Sequence, residues 1–128
     1  MDKDSLDTIL DFLTLIGLPV TRKPISGPTF LPGLKMENGG LVVDVGQLLY
    51  PGDLLHEAGH LATMAPDVRS AMNDVLPKND LHQGGEIMAQ AWSYAACVYL
   101  KMAPEISISP QWLQRGWRSY YRKLCRRL

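Results

Sequence analysis

Residues 56–60 read His56-Glu57-Ala58-Gly59-His60, and this pattern constrains the chain more than any other part of it. On an α-helix, positions i and i+4 lie about 40° apart around the axis and one turn apart along it. His56 and His60 can therefore converge on a single metal ion. Glu57 then sits beside that ion, close enough to take a proton from water without entering the coordination shell. Such a pattern arises by chance in roughly one chain in a few hundred of this length, so its surroundings must support it. They do: Leu54-Leu55 precede it, Leu61-Ala62 follow, and Ala58 and Gly59 are small and uncharged, as suits a buried helix lining a cleft. Gly59 costs about 1 kcal/mol of helix propensity relative to alanine, which predicts close approach of another backbone or of a substrate. The ordinary alternative is a helix carrying two histidines on its wet face.

A catalytic zinc site has three protein ligands and one open position, so a third ligand is required. Glu86 is the best candidate. It is read as the start of an alanine-rich apolar helix running to Leu100. A carboxylate there is costly to bury unless a cation meets it, although the helix macrodipole alone also favours an acid at such a place. His82, in a predicted loop over residues 77–85, could be a ligand, a hydrogen-bond donor to the transition state or a solvated histidine. Asp67 does not extend the motif. HExxHxxGxxH/D requires Gly at position 63 and a ligand at position 66, where this chain has Thr63 and Pro66. Asp67 is instead expected to cap or open a short helix over residues 67–75.

The HExxH helix, the later Glu86 and the run Ala89, Gln90, Trp92 and Ala95-Ala96 resemble the small gluzincin metallopeptidases, in particular the ImmA and IrrE group. The likeness covers roughly residues 41–100. In that family a short strand leads into the HExxH helix, and a later helix begins with the glutamate ligand. Gln90 stands where the family usually has Asn and thermolysin-like gluzincins have Asp; all three can orient a ligand by hydrogen bonding. The resemblance implies zinc (Zn2+) held by His56, His60 and Glu86, with Glu57 as general base, and hydrolysis of peptide bonds. A further donor to the developing oxyanion is expected, with His82, Tyr94, Tyr120 and Tyr121 as candidates. The alternative is a catalytically inactive zinc-binding regulatory or protein-interaction module.

Length and composition agree with one domain over residues 1–128, since 128 residues with 46% hydrophobic content can bury one sizeable core. No run approaches 18 apolar residues, and Met1-Asp2-Lys3-Asp4 does not open a secretion signal. Cys97 and Cys125 are too few for a disulfide framework and are read as reduced core residues, which points to the cytoplasm. The 13 basic and 13 acidic residues balance, which argues against nucleic acid as a partner and leaves a peptide or protein substrate. The basic residues gather near the C-terminus. Arg115, Arg118, Arg122, Lys123, Arg126 and Arg127 interleave with an apolar stripe at 113, 117, 120, 121, 124 and 128, the pattern of a closing helix with a charged outer face.

The expected fold class is α+β: a mainly helical, zincin-like domain with a small β-hairpin or sheet beside the HExxH helix. An amphipathic helix is predicted over residues 5–16, ended by Gly17 and Pro19. Residues 19–32 hold too many prolines and glycines for periodic structure and read as a long connection. Extended runs over residues 30–36 and 40–45 flank Asn38-Gly39, a strong hairpin signal. Pro51 and Asp53 suit the first turn of the HExxH helix.

Overall fold

The computed structural model describes residues 3–29, 31–73 and 80–107, with the backbone alone described for residues 80–84. The first helix, α1 (Lys3–Leu15), buries Leu6, Ile9, Leu10 and Leu13. Their spacing puts them on one face, which packs onto the core. The chain turns at Gly17, where Leu18 N–H bonds the Leu13 carbonyl at 3.0 Å and Gly17 N–H bonds Thr14 at 3.1 Å. Orphan carbonyls at the helix end are thereby satisfied.

Three short strands follow. Strands β2 (Leu34–Glu37) and β3 (Gly40–Val43) form an antiparallel hairpin. Asn38 and Gly39 close it with φ of 51° and 80°, the mirror-image turn that matches strand twist. Strand β1 (Val20–Arg22) lies parallel to β3, pairing Val20 with Leu41, so the sheet order is β1-β3-β2. This strand corrects the expectation of an irregular connection over residues 19–32. Pro19 keeps its carbonyl and accepts from Leu41 N–H at 2.9 Å, and the three residues after it contain no proline. A parallel pairing so distant in sequence leaves no local pattern to read. The extended runs are also shorter than expected, because Gly33 turns the chain before β2 with φ of 76° and the chain turns again at Asp44 after β3.

Beyond β3, Asp44 organises the turn into the next helix. Its carboxylate accepts from Ile25 N–H at 3.0 Å, from Gln47 Nε2 at 2.7 Å and from Gly46 N–H at 3.1 Å. These bonds, led by that from Ile25, hold its carboxyl below the usual carboxylate range. Helix α2 (Pro51–Ala62) then carries the HExxH residues, with Pro51 in its first turn as expected. Leu54, Leu55, Ala58 and Leu61 show 0% exposure and face the core formed with α1 and the sheet. A short helix, α3 (Pro66–Ser70), follows. Its Arg69 donates from Nε to the Leu61 carbonyl at 2.7 Å and from Nη2 to Met64 at 2.9 Å, satisfying the end of α2. Helix α3 is shorter than the predicted 67–75: residues 71–73 are not helical, and residues 74 and 75 lie outside the described residues.

The long helix α4 (Asp80–Tyr99) crosses α2, and a single 3-10 turn, α5 (Pro104–Ser107), packs beside both. The crossing is close at Gly59, where a Cβ would stand 2.7 Å from the Ala89 carbonyl oxygen. The backbone approach predicted from Gly59 is therefore present. Gly59→Ala gains about 1 kcal/mol of helix propensity, yet it must push the α2 and α4 backbones apart. A net loss of about 1–3 kcal/mol is expected from such overpacking, measured by urea denaturation of metal-free protein. An unchanged midpoint would show that the helices can separate without cost.

The architecture is α+β and mainly helical, with the small sheet beside the HExxH helix. Among the described residues no helix is long and apolar enough to cross a membrane. The basic segment with its stripe, including Tyr120, Tyr121 and Cys125, lies outside the described residues.

Candidate metal centre

Helix α2 turns His56 and His60 to the same side, one turn apart, with ring centroids 5.0 Å apart at 78°. Helix α4, brought close by Gly59, delivers Glu86 between them. Glu86 Oε2 is 3.1 Å from His56 Nε2, and Glu86 Oε1 contacts His60 Nε2 at 2.6 Å. All three offer donor atoms within 4.8 Å of one another, so this group could hold a metal ion. Ligand atoms around a tetrahedral ion at zinc-like bond lengths stand about 3.3 Å apart, so small side-chain adjustments from the 2.6 Å and 3.1 Å contacts would seat an ion. The donor set of two imidazole nitrogens and a carboxylate oxygen also fits.

Glu86 does not open its helix. Helix α4 begins at Asp80, so Glu86 lies in the second turn and residues 80–85 are helical rather than looped. Macrodipole stabilisation at an N-terminus therefore explains less of Glu86 than its two histidine contacts do. The Gly84-Gly85 pair suggested a loop, yet a Cβ at Gly85 would stand 3.7 Å from His60 Nδ1, beside the site. That is an ordinary van der Waals distance, so the glycine is not forced by a close approach, and tertiary packing has overridden propensity.

His56 is fully buried and His60 is 2% exposed, whereas the Glu86 side chain is 17% exposed and Glu57 is half-buried. The site thus has histidines rooted in the core and carboxylates toward the surface. Burial pushes His56 to lower proton affinity, against the opposing pull of Glu86 and, more weakly, of Gln90. Burial acts the same way on His60, but the Glu86 hydrogen bond and the charges of Glu57 and Glu86 together outweigh it and raise its proton affinity. Burial would raise Glu86, yet hydrogen bonds and charge from both histidines hold it far below the usual carboxylate range. Glu57 thus lies near enough to act on His60 electrostatically.

Gln90, one turn beyond Glu86 on α4, is fully buried and donates from Nε2 to the Ser107 carbonyl at 3.2 Å. It lies near enough to His56 to favour the protonated ring. The role of Ser107 could not be anticipated, because a backbone acceptor in a single 3-10 turn carries no side-chain signature. Tyr94 is buried in the core at 6% exposure. Asp67 is exposed in the first turn of α3, apart from the ligand group. The side chain of His82 lies outside the described residues, although its backbone belongs to α4. Cys97 is fully buried, and burial pushes its thiol up to about 11, as befits an unreactive core residue.

No protein-family model, curated protein or solved structure matches this chain.

Proposed function

We propose that this chain is a zinc-dependent metallopeptidase of the small gluzincin kind, similar to the ImmA and IrrE group, acting in the cytoplasm on a peptide or protein substrate. The observation that carries this reading is the meeting of two buried histidines from α2 with Glu86 from α4, beside a second carboxylate that the metal does not need. Two histidines and one carboxylate are the donor set of zinc hydrolases, and it leaves a coordination position open. Calcium and magnesium prefer sites built from oxygen donors. A zinc ion held there supplies Lewis acidity, which acidifies water and polarises a scissile carbonyl.

The protein's own groups supply the remainder. Glu57, half-buried, accepts the proton of the attacking water and passes it to the departing amine nitrogen. His56 and His60 are held in the core, so the reacting groups are fixed before a substrate arrives. Cytoplasmic placement is supported by the buried, unpaired Cys97 thiol.

The test is metal content followed by proteolysis. Protein purified without added metal should carry one zinc per chain. It should cleave components of a denatured protein mixture, read as new N-termini by mass spectrometry, lose that activity to a chelator and regain it with zinc. A folded sample that neither contains nor takes up zinc would remove the proposal. Bound zinc without cleavage of any offered protein or peptide would favour a zinc-binding interaction module instead.

A further inference from the structure

From Ile87 to Leu100 helix α4 carries no charged residue, the composition of a helix enclosed on every side. Only one side is enclosed. At about 100° per residue, Ile87, Met88, Ala91, Ala95, Val98 and Tyr99 share an arc of about 120° on the side of the helix away from Glu86. The four large side chains of that arc are between 45% and 66% exposed. The end of α1 extends the surface. Leu15 and Ile16, 75% and 45% exposed, border an apolar groove of about 460 Å3 that Trp92, Ala95 and Tyr99 border from the other side. Phe12 joins the two helices there, its ring 6.0 Å from that of Trp92 and 5.7 Å from that of Tyr99.

We infer that this outer face of α4, with the end of α1, is a dimer interface that pairs with the same face of a second copy of the chain. The inference stands apart from the metal centre, because Glu86 points the other way and the face can pair whether or not the site holds zinc.

The area fits. The exposed parts of the six large side chains come to roughly 700 Å2, above the ~300–600 Å2 typical of the largest apolar patch on a monomer and near the ~800 Å2 that each partner of a stable complex buries. The composition selects a copy of the same chain, since interfaces between identical subunits are the more apolar ones and residues 87–100 would bring no charge into such a contact that then needs an opposite charge across it. The shape is also self-complementary. A two-fold axis that sets α4 antiparallel to its copy, crossing between Ala91 and Ala95, lets the backbones approach at the small residues. It then lays Tyr99 of each copy over Ile87 and Met88 of the other, a ring against a thioether and a branched chain. Each large side chain at one end of the arc thus meets the opposite end of the copy.

Sedimentation velocity of the full chain over a range of concentrations tests this. A species of twice the 14.3 kDa chain mass is expected. Tyr99→Arg should raise the dimer dissociation constant by at least about 100-fold, because the two-fold axis removes the aromatic anchor twice. Leu15→Arg should act in the same direction, and it decides the matter if Tyr99→Arg does not fold by circular dichroism. Val68→Arg, at a 51% exposed position on α3, should leave the dimer intact. Hydroxyl-radical footprinting supplies the second readout: oxidation of Met88 should slow as wild-type protein is concentrated and should not slow in Tyr99→Arg. A monomer at every concentration would overturn the inference. So would a monomer in which Met88 is already shielded, which would mean cover from within the chain or from another bound molecule. A dimer that survives both Tyr99→Arg and Leu15→Arg would place its contact on a different face and overturn it as well.

Discussion

Replacing Glu86 with alanine is expected to strip the folded chain of its metal. The side chain is 17% exposed and lies in the second turn of α4, so little core packing is lost and alanine favours the helix. What remains is a pair of buried imidazoles with ring centroids 5.0 Å apart and no anion between them. Zinc affinity should fall by more than the ~10–100-fold that loss of an outer partner costs, since a direct bond to the ion is removed. Competition with a chromogenic chelator measures this, with circular dichroism to confirm the helices. Wild-type affinity in the variant would mean that another group is the third ligand and that Glu86 only balances the histidines.

The dependence on pH follows from the same contacts. In metal-free protein His60 is raised and Glu86 lowered in proton binding. The pair therefore stabilises the fold where Glu86 is ionised and His60 protonated. That contribution disappears as pH falls through the folded value of Glu86 and as pH rises through the folded value of His60. Metal makes the opposite demand at the upper edge, because it binds the neutral ring and must displace the proton. The rise in melting temperature on adding zinc should accordingly grow as pH increases through the histidine range.

These contacts also show where sequence could be read and where it could not. The hairpin at Asn38-Gly39 was legible because a two-residue turn is local chemistry. The close approach at Gly59 was legible because a glycine in a helix needs a reason. His56 and His60 were legible through helical periodicity alone. Their partner Glu86 could be named only as a candidate, since the crossing of α2 and α4 that joins them is tertiary. Strand β1 was hidden by the prolines around it and by pairing with residues about twenty positions away. The start of α4 was misplaced for a related reason. Gly84 and Gly85 read as a loop, but Gly85 lies on a helix beside His60, held there by the packing of α4 against α2. The Ser107 carbonyl was invisible because every residue has one. Sequence patterns thus identified side chains with chemistry of their own, and they failed where the backbone or the crossing of helices made the contact.

Glu57→Gln should separate the two halves of the proposed chemistry, leaving the metal bound and removing the hydrolysis. The substitution is nearly isosteric on a half-buried position of α2, and Glu57 is not among the three residues whose donor atoms converge. Stoichiometry should therefore stay at one zinc per chain. Two effects on affinity oppose each other. Loss of the Glu57 charge weakens attraction for a cation, but it also lowers the proton affinity that this charge helps to raise at His60. The net change should be small beside that of Glu86→Ala. Activity is another matter. A glutamine cannot take a proton from water at neutral pH, and general-base catalysis contributes about 10²–10⁴-fold to such reactions. Cleavage of any substrate found for the wild-type protein should drop by at least that range, with KM little altered, because in the proposed chemistry Glu57 acts on the reacting water rather than on substrate binding. A variant that kept zinc and cleaved at the wild-type rate would dismiss Glu57 as the base, and one that lost zinc as completely as Glu86→Ala would make Glu57 a ligand instead.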